Sequence, residues 1–200
     1  QGNTFKQHVD YRYNIRGWLT RINNADLNAS DGGPNDYFGM EFGYNNDLGI
    51  GAFTPQYNGD ISATKWSANL GLALPYLNEP TERAYNFTYD PMNRLREANY
   101  AINVGSWSSS LAYREAMDYD LNGNILSLHR NSAKGVTMDW LEFNYGEGTN
   151  RSNQLKSVTD YGMLTKGFRD GNTSGDDYTY DDNGNLVQDK NKRIEEIKCN

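Results

Sequence analysis

Two stretches, Tyr119-Asp120-Leu121-Asn122-Gly123-Asn124-Ile125 and Tyr180-Asp181-Asp182-Asn183-Gly184-Asn185-Leu186, decide the fold. Tyrosine, aspartate, glycine and an aliphatic residue recur in both at the same offsets. Two more segments follow the pattern with substitutions, Tyr13-Asn14-Ile15-Arg16-Gly17-Trp18-Leu19 and Tyr89-Asp90-Pro91-Met92-Asn93-Arg94-Leu95. An Asp or Asn side chain accepts a hydrogen bond from its own backbone two residues on, and Gly or Asn adopts the left-handed conformation that closes a tight turn. Each segment therefore predicts a turn joining two strands.

Outward from these turns the flanks read as strands. Tyr85-Asn86-Phe87-Thr88-Tyr89 and Leu141-Glu142-Phe143-Asn144-Tyr145 alternate apolar and polar residues. The return strands begin at the aliphatic residue, as in Leu95-Arg96-Glu97-Ala98 and Ile125-Leu126-Ser127-Leu128. Two weaker copies stand at Tyr57-Asn58-Gly59-Asp60-Ile61, which is shorter, and at Tyr145, where a longer insertion precedes Leu155. Successive tyrosines lie 44, 32, 30, 26 and 35 residues apart. About six units result, near 1–37, 38–84, 85–112, 113–138, 139–172 and 173–200, in one block. Because a lone hairpin is marginal in water, the units are expected to stack edge to edge. The expected fold is all-β: repeated antiparallel hairpins forming a strongly curved sheet or part of a spiral β shell, with Tyr13, Tyr89, Tyr119 and Tyr180 stacked as a ladder inside it. Ser108 to Met117 has some helical character but reads better as a strand entering Tyr119.

Composition agrees. Only 36% of residues are apolar, yet 13% are aromatic, with 15 Tyr. The mean hydropathy is -0.86. Recurrent aromatic and β-branched residues exclude global disorder. A net charge of -7 argues against a phosphate backbone as partner. No apolar run approaches a membrane span, and the start at Gln1 lacks signal-peptide character. Cys199 is the sole cysteine, so no internal disulfide and no cysteine metal cluster is expected.

Tyr-Asp-x-x-Gly-Asn-Leu, matched closely at Tyr119 to Ile125 and Tyr180 to Leu186, resembles the hallmark of RHS or YD-repeat proteins. Tyr11 to Asn23 and Phe38-Gly39-Met40-Glu41-Phe42 look like the version common in Bacteroidetes members. The resemblance implies large secreted or surface-attached proteins whose repeats spiral into a hollow β shell, often with a variable C-terminal toxin or effector. Neither a self-cleaving aspartyl-protease-like region nor an effector is recognisable in these residues, so a segment of a longer parent is expected.

Chemistry-bearing motifs are scarce. Asp90, Asp120 and Asp181 occupy turn positions that explain them without catalysis, although paired carboxylates could serve a glycosidase. Asp120-x-Asn122-x-Asn124 and Asp181-x-Asn183-x-Asn185 begin like calcium loops but depart from EF-hand spacing, leaving a non-EF calcium site as the minor alternative. His8 and His129 form no metal-spaced pair. Gly32-Gly33-Pro34 and Gly146-x-Gly148 read as loops between strands, not as phosphate cradles. Trp18, Trp66, Trp107 and Trp140 are the candidate ligand-stacking aromatics, with burial the favoured alternative in a chain short of aliphatics. No cofactor, metal or catalytic residue is expected.

The expected function is that of a non-catalytic shell segment, secreted or at a bacterial cell surface, that encloses or displays an associated polypeptide or mediates cell contact. A carbohydrate-binding surface module is the alternative, and a glycosidase the third reading. Expected partners are the rest of the parent chain with its effector, cell-surface carbohydrate or protein, and, through open sheet ends, further copies of the chain.

Overall fold

A computed structural model describes residues 8–27, 36–51, 53–69, 81–148 and 152–198. The loop Gly32-Gly33-Pro34 and Cys199 lie outside the described residues. Strands account for the regular structure, and no α-helix occurs among the described residues. The chain is all-β and every described pairing is antiparallel. It divides into two compact units, Gln1–Ser110 and Leu111–Asn200.

The first unit holds β1 (Tyr11–Tyr13), β2 (Leu19–Ile22), β3 (Phe38–Gly43), β4 (Ala63–Ala68), β5 (Arg83–Tyr89), β6 (Leu95–Asn103) and β7 (Trp107–Ser109). From β1 to β6 each strand pairs with the next, and β7 pairs with β6. The alternation read from the sequence sorts two faces. One carries Trp66, Tyr85 and Tyr100: Trp66 and Tyr85 stack at 5.8 Å, and Tyr85 meets Tyr100 edge-on at 5.6 Å. On the other, Ala63, Ala84 and Ala101 are buried with Ile50, and Leu48 and Trp107 pack against them. Small residues let this face close on few aliphatic side chains. Gly39 of β3 answers the same need for close approach, because a Cβ there would collide with the backbone carbonyl of Asn24.

The second unit holds β8 (Glu115–Tyr119), β9 (Ile125–Asn131), β10 (Thr137–Asn144) and β11 (Ser157–Asp160), paired in that order. A separate hairpin joins β12 (Tyr178–Tyr180) to β13 (Leu186–Asp189). The segment with helical character is thus strand at both ends, β7 and β8, with Tyr113 between them at φ 54. Its short apolar run satisfied neither period fully, and pairing with β6 and β9 decided it.

Candidate functional site

The repeated turn is the most regular feature of the molecule. In four hairpins the tyrosine ends the first strand at a shift of register and faces the aliphatic residue that opens the second: Tyr13 with Leu19, Tyr89 with Leu95, Tyr119 with Ile125 and Tyr180 with Leu186. One side-chain oxygen of the next residue accepts two backbone N–H groups, two and four residues on. Asn14 takes Arg16 and Trp18, Asp90 takes Met92 and Arg94, Asp120 takes Asn122 and Asn124, and Asp181 takes Asn183 and Asn185, all at 2.8 to 3.0 Å. The residue before the last acceptor contact adopts positive φ: Gly17 77, Asn93 60, Gly123 94 and Gly184 83. A left-handed residue is required there, which is why the pattern alternates Gly with Asn and nothing else.

The second carboxylate oxygen is also engaged. Asp120 and Asp181 accept from the side-chain amides of Asn124 and Asn185, both at 2.9 Å, and Asp90 binds the Arg94 guanidinium at 2.6 Å. Both oxygens of these carboxylates therefore hold donors within the turn. Among the described residues no group of three His, Cys, Asp or Glu is arranged to hold a metal. Hydrogen bonds from the Asn185 side chain and backbone hold the Asp181 carboxyl below its ordinary pKa. Desolvation pushes Asp90 up, but the bonds from Arg94 and Met92 outweigh it and the net shift is downward.

Two of the four tyrosine hydroxyls reach back to the carbonyl of an earlier unit's aliphatic residue. Tyr89 donates to the Ile61 carbonyl at 2.7 Å and Tyr180 to the Leu155 carbonyl at 3.0 Å. Tyr44 donates in the same way to Leu19 at 2.8 Å. Burial raises the phenol pKa of all three. Tyr44 is a repeat tyrosine that sequence reading missed: Tyr44-Asn45 supplies the tyrosine and the Asn of the pattern. It follows β3 directly, while Ile61 precedes β4. The copy placed at Tyr57 therefore belongs to Tyr44, with an insertion between, and Tyr57 sits 64% exposed in that insertion. Tyr13 corrects a second expectation, for it is 61% exposed rather than inside the sheet.

The four tryptophans divide. Trp18 is half-buried, 5.0 Å from the Tyr44 ring, with the Arg16 guanidinium 5.0 Å from its own. Trp66 belongs to the aromatic face of β4 to β6, and Trp107 packs against the alanine core. Trp140 alone of the four is exposed, at 44%, where burial had been favoured. It lies tilted 5.0 Å from His129 and edge-on 5.8 Å from Tyr161, itself exposed. Its outward position follows from the alternation of β10, in which Asp139 and Leu141 take the buried side.

Tyr161 also lines a cavity of 560 Å³ in the second unit, together with Asn144, Asp160, Asp170, Asn172 and Asp176. Asp160 Oδ1 accepts from the backbone N–H of Trp140 and of Gly162, at 3.0 and 2.7 Å. Asp160 Oδ2 and Asp170 Oδ1 are buried without a hydrogen-bond partner. Carboxylates, amides and an aromatic edge at one concave site suit a ligand rich in hydroxyl donors. No protein-family model matches the sequence, and no curated protein matches it.

Proposed function

We propose that the chain is a non-catalytic wall segment of a secreted or cell-surface repeat protein of the RHS/YD kind, enclosing or displaying an associated polypeptide. The observation that carries this reading is the turn built four times with the same bonds, each oxygen of its carboxylates spent on structure. Hydroxyl links from Tyr44, Tyr89 and Tyr180 to earlier strand starts bind unit to unit, as a spiral wall requires. The test is protease protection of the polypeptide carried by the parent protein. It stays intact while the wall is folded, and it is cut once Asp120→Ala and Gly123→Ala loosen a turn. Cutting at the same rate in both proteins would sink the reading.

Tyr161, which lines a polar cavity and meets the exposed Trp140 edge-on, favours one second reading, a carbohydrate-binding surface. Titration with cell-wall polysaccharides and a glycan array tests it. Binding that Trp140→Ala abolishes supports it, and no binding at millimolar sugar removes it.

A further inference from the structure

Two carboxylates of the second unit each hold a buried oxygen that no donor answers. Asp160 ends β11 and is 9% exposed. Its Oδ1 accepts from the backbone N–H groups of Trp140 and Gly162, which fixes the side chain, while Oδ2 is buried without a hydrogen-bond partner among the described residues. Asp170 lies between β11 and β12, and its Oδ1 is buried in the same condition. The two residues share one place, for both line the 560 Å³ cavity and a neighbouring cavity of 620 Å³. The basic side chains of the larger cavity do not answer them: Lys192 pairs with Asp189 at 3.3 Å, and among the described residues neither Arg169 nor Arg193 forms an ion pair with Asp160 or Asp170. Anionic oxygens out of water are costly unless something pairs with them, and two in one place also repel each other. Hydroxyl donors would satisfy the oxygens and leave the repulsion. A cation answers both.

We propose that Asp160 Oδ2 and Asp170 Oδ1 are ligands of a hard divalent cation, calcium, that ties the segment 161–177 to the end of β11. That segment carries no strand, and a long stretch without regular structure inside a compact unit is usually functional. The donor set selects the metal. Neither His nor Cys lines either cavity, and hard cations take carboxylates, amide carbonyls and water. Asn172 adds to the set: its amide nitrogen donates to the Ser174 carbonyl and to Asp177 Oδ1, at 3.0 and 2.8 Å, so its carbonyl oxygen is the atom it can offer. Beside Asp170, the N–H groups of Gly171 and Asn172 both donate to Asn191 Oδ1, at 2.9 and 3.0 Å, which holds this part of the segment in place. Calcium accepts about six to eight oxygens in irregular geometry, whereas magnesium demands a near-ideal octahedron that a fixed strand end and a strand-free segment do not supply. With two carboxylates and no third acidic ligand among the described residues, the affinity belongs at the weak end of the calcium range, a Kd of about 0.1 to 1 mM. This site depends on neither the wall reading nor the carbohydrate reading.

The probe is calcium chloride, added to the intact chain after treatment with a chelator. Calorimetric titration is expected to show one site in that affinity range, and about 10 mM calcium is expected to raise Tm by roughly 3 to 6 °C, the shift for a ligand at about ten times its Kd. Asp170→Asn leaves the backbone bonds of Asp160 in place and is expected to weaken binding by about tenfold or more. In chelator the same variant should unfold no earlier than the unaltered chain, because it removes an uncompensated charge, whereas a merely structural aspartate would lower Tm in both conditions. Asp182→Asn, exposed and away from both cavities, is the charge control and should bind as before. Four results overturn the assignment. They are no heat and no Tm shift at that calcium concentration, equal binding by Asp170→Asn and the unaltered chain, an equal loss in Asp182→Asn, and equal affinity for magnesium chloride. The third would mark diffuse attraction to a chain of net charge -7, and the fourth a hydrated ion held by charge alone.

Discussion

One oxygen separates tyrosine from phenylalanine, and at Tyr89 that oxygen meets the Ile61 carbonyl at 2.7 Å in a half-buried setting. Tyr89→Phe is expected to destabilise the chain by about 1 kcal/mol, the net worth of such a bond, lowering Tm by roughly 2 to 4 °C in calorimetry. Tyr13→Phe, at the same place in its own hairpin but exposed, is expected to leave Tm unchanged. A shift of equal size in both would show that the hydroxyl link is not what separates them. The turn carboxylates make a second prediction, in pH. Asp90 and Asp181 have folded pKa values held below their ordinary ones. Their contribution is therefore present above the unfolded carboxylate pKa and is lost as pH falls through the depressed folded values. Urea midpoints followed from neutral pH into acid should drop in that window, and Asp90→Asn with Asp181→Asn should flatten the drop. At this scale the sequence was legible where chemistry is local. An Asx turn needs only residues within four positions, so Asp120 and Gly123 could be read without a fold. The exposure of Tyr13 and Trp140 depends on which strands lie alongside, and no local pattern carries that.

Hairpins, one level up, were legible wherever the turn is short. Leu19, Leu95, Ile125 and Leu186 open return strands as the spacing required, because six residues from the tyrosine leave one way to close the turn. Between β3 and β4 the closure comes after an insertion, and there Tyr57 drew attention from Tyr44. Insertions cost little in loop entropy, so they are tolerated and they blur a period. The strands themselves have strict requirements that a variant can probe. Gly39→Ala places a Cβ against the Asn24 backbone, which has no flexible end to move aside. A loss of roughly 1 to 3 kcal/mol is expected, the range for overpacking. Gly123→Ala meets a different obstacle, a φ of 94, and is expected to lose roughly 1 to 2 kcal/mol through left-handed strain. Gly123→Asn should recover part of it, since Asn93 holds the same place in its own turn at φ 60. Equal losses for Ala and Asn at 123, measured by urea unfolding, would remove the conformational explanation.

On the scale of the whole molecule the aliphatic shortage returns as a polar interior. Among the described residues the largest fully buried side chains are Asn23, Asp139, Asp177, Ser62 and Ser67, where most domains bury Leu or Phe. Their partners show the use made of them. Asn23 accepts from the Asp10 N–H, just ahead of β1, and donates to the Phe38 carbonyl at the start of β3, tying those two segments together. Asp139 pairs with Arg130 at 2.7 Å, and Asp177 accepts from the Val158 N–H and from the side-chain amides of Asn172 and Asn191. That low apolar content would be made good by aromatic burial was the expectation; buried polar networks share the task, and sequence gave no sign of which Asp would be inside. Asp177 is the sharpest test, because through it the β12–β13 hairpin is held to β11. Asp177→Ala leaves the buried Val158 N–H without an acceptor and takes one partner each from the half-buried Asn172 and Asn191 side-chain amides. An unsatisfied buried donor costs about 1 to 3 kcal/mol, and a loss in that range is expected. Asp177→Asn keeps the shape and one acceptor oxygen and should lose less. Hydrogen exchange is the discriminating measurement. The amides of Tyr178–Tyr180 and Leu186–Asp189 are expected to exchange faster in Asp177→Ala, with those of β8 and β9 retaining more of their protection. Uniform acceleration over the whole second unit would mean that the hairpin and the β8–β11 sheet unfold as one, with Asp177 a general element of that unit and not the latch of its last hairpin.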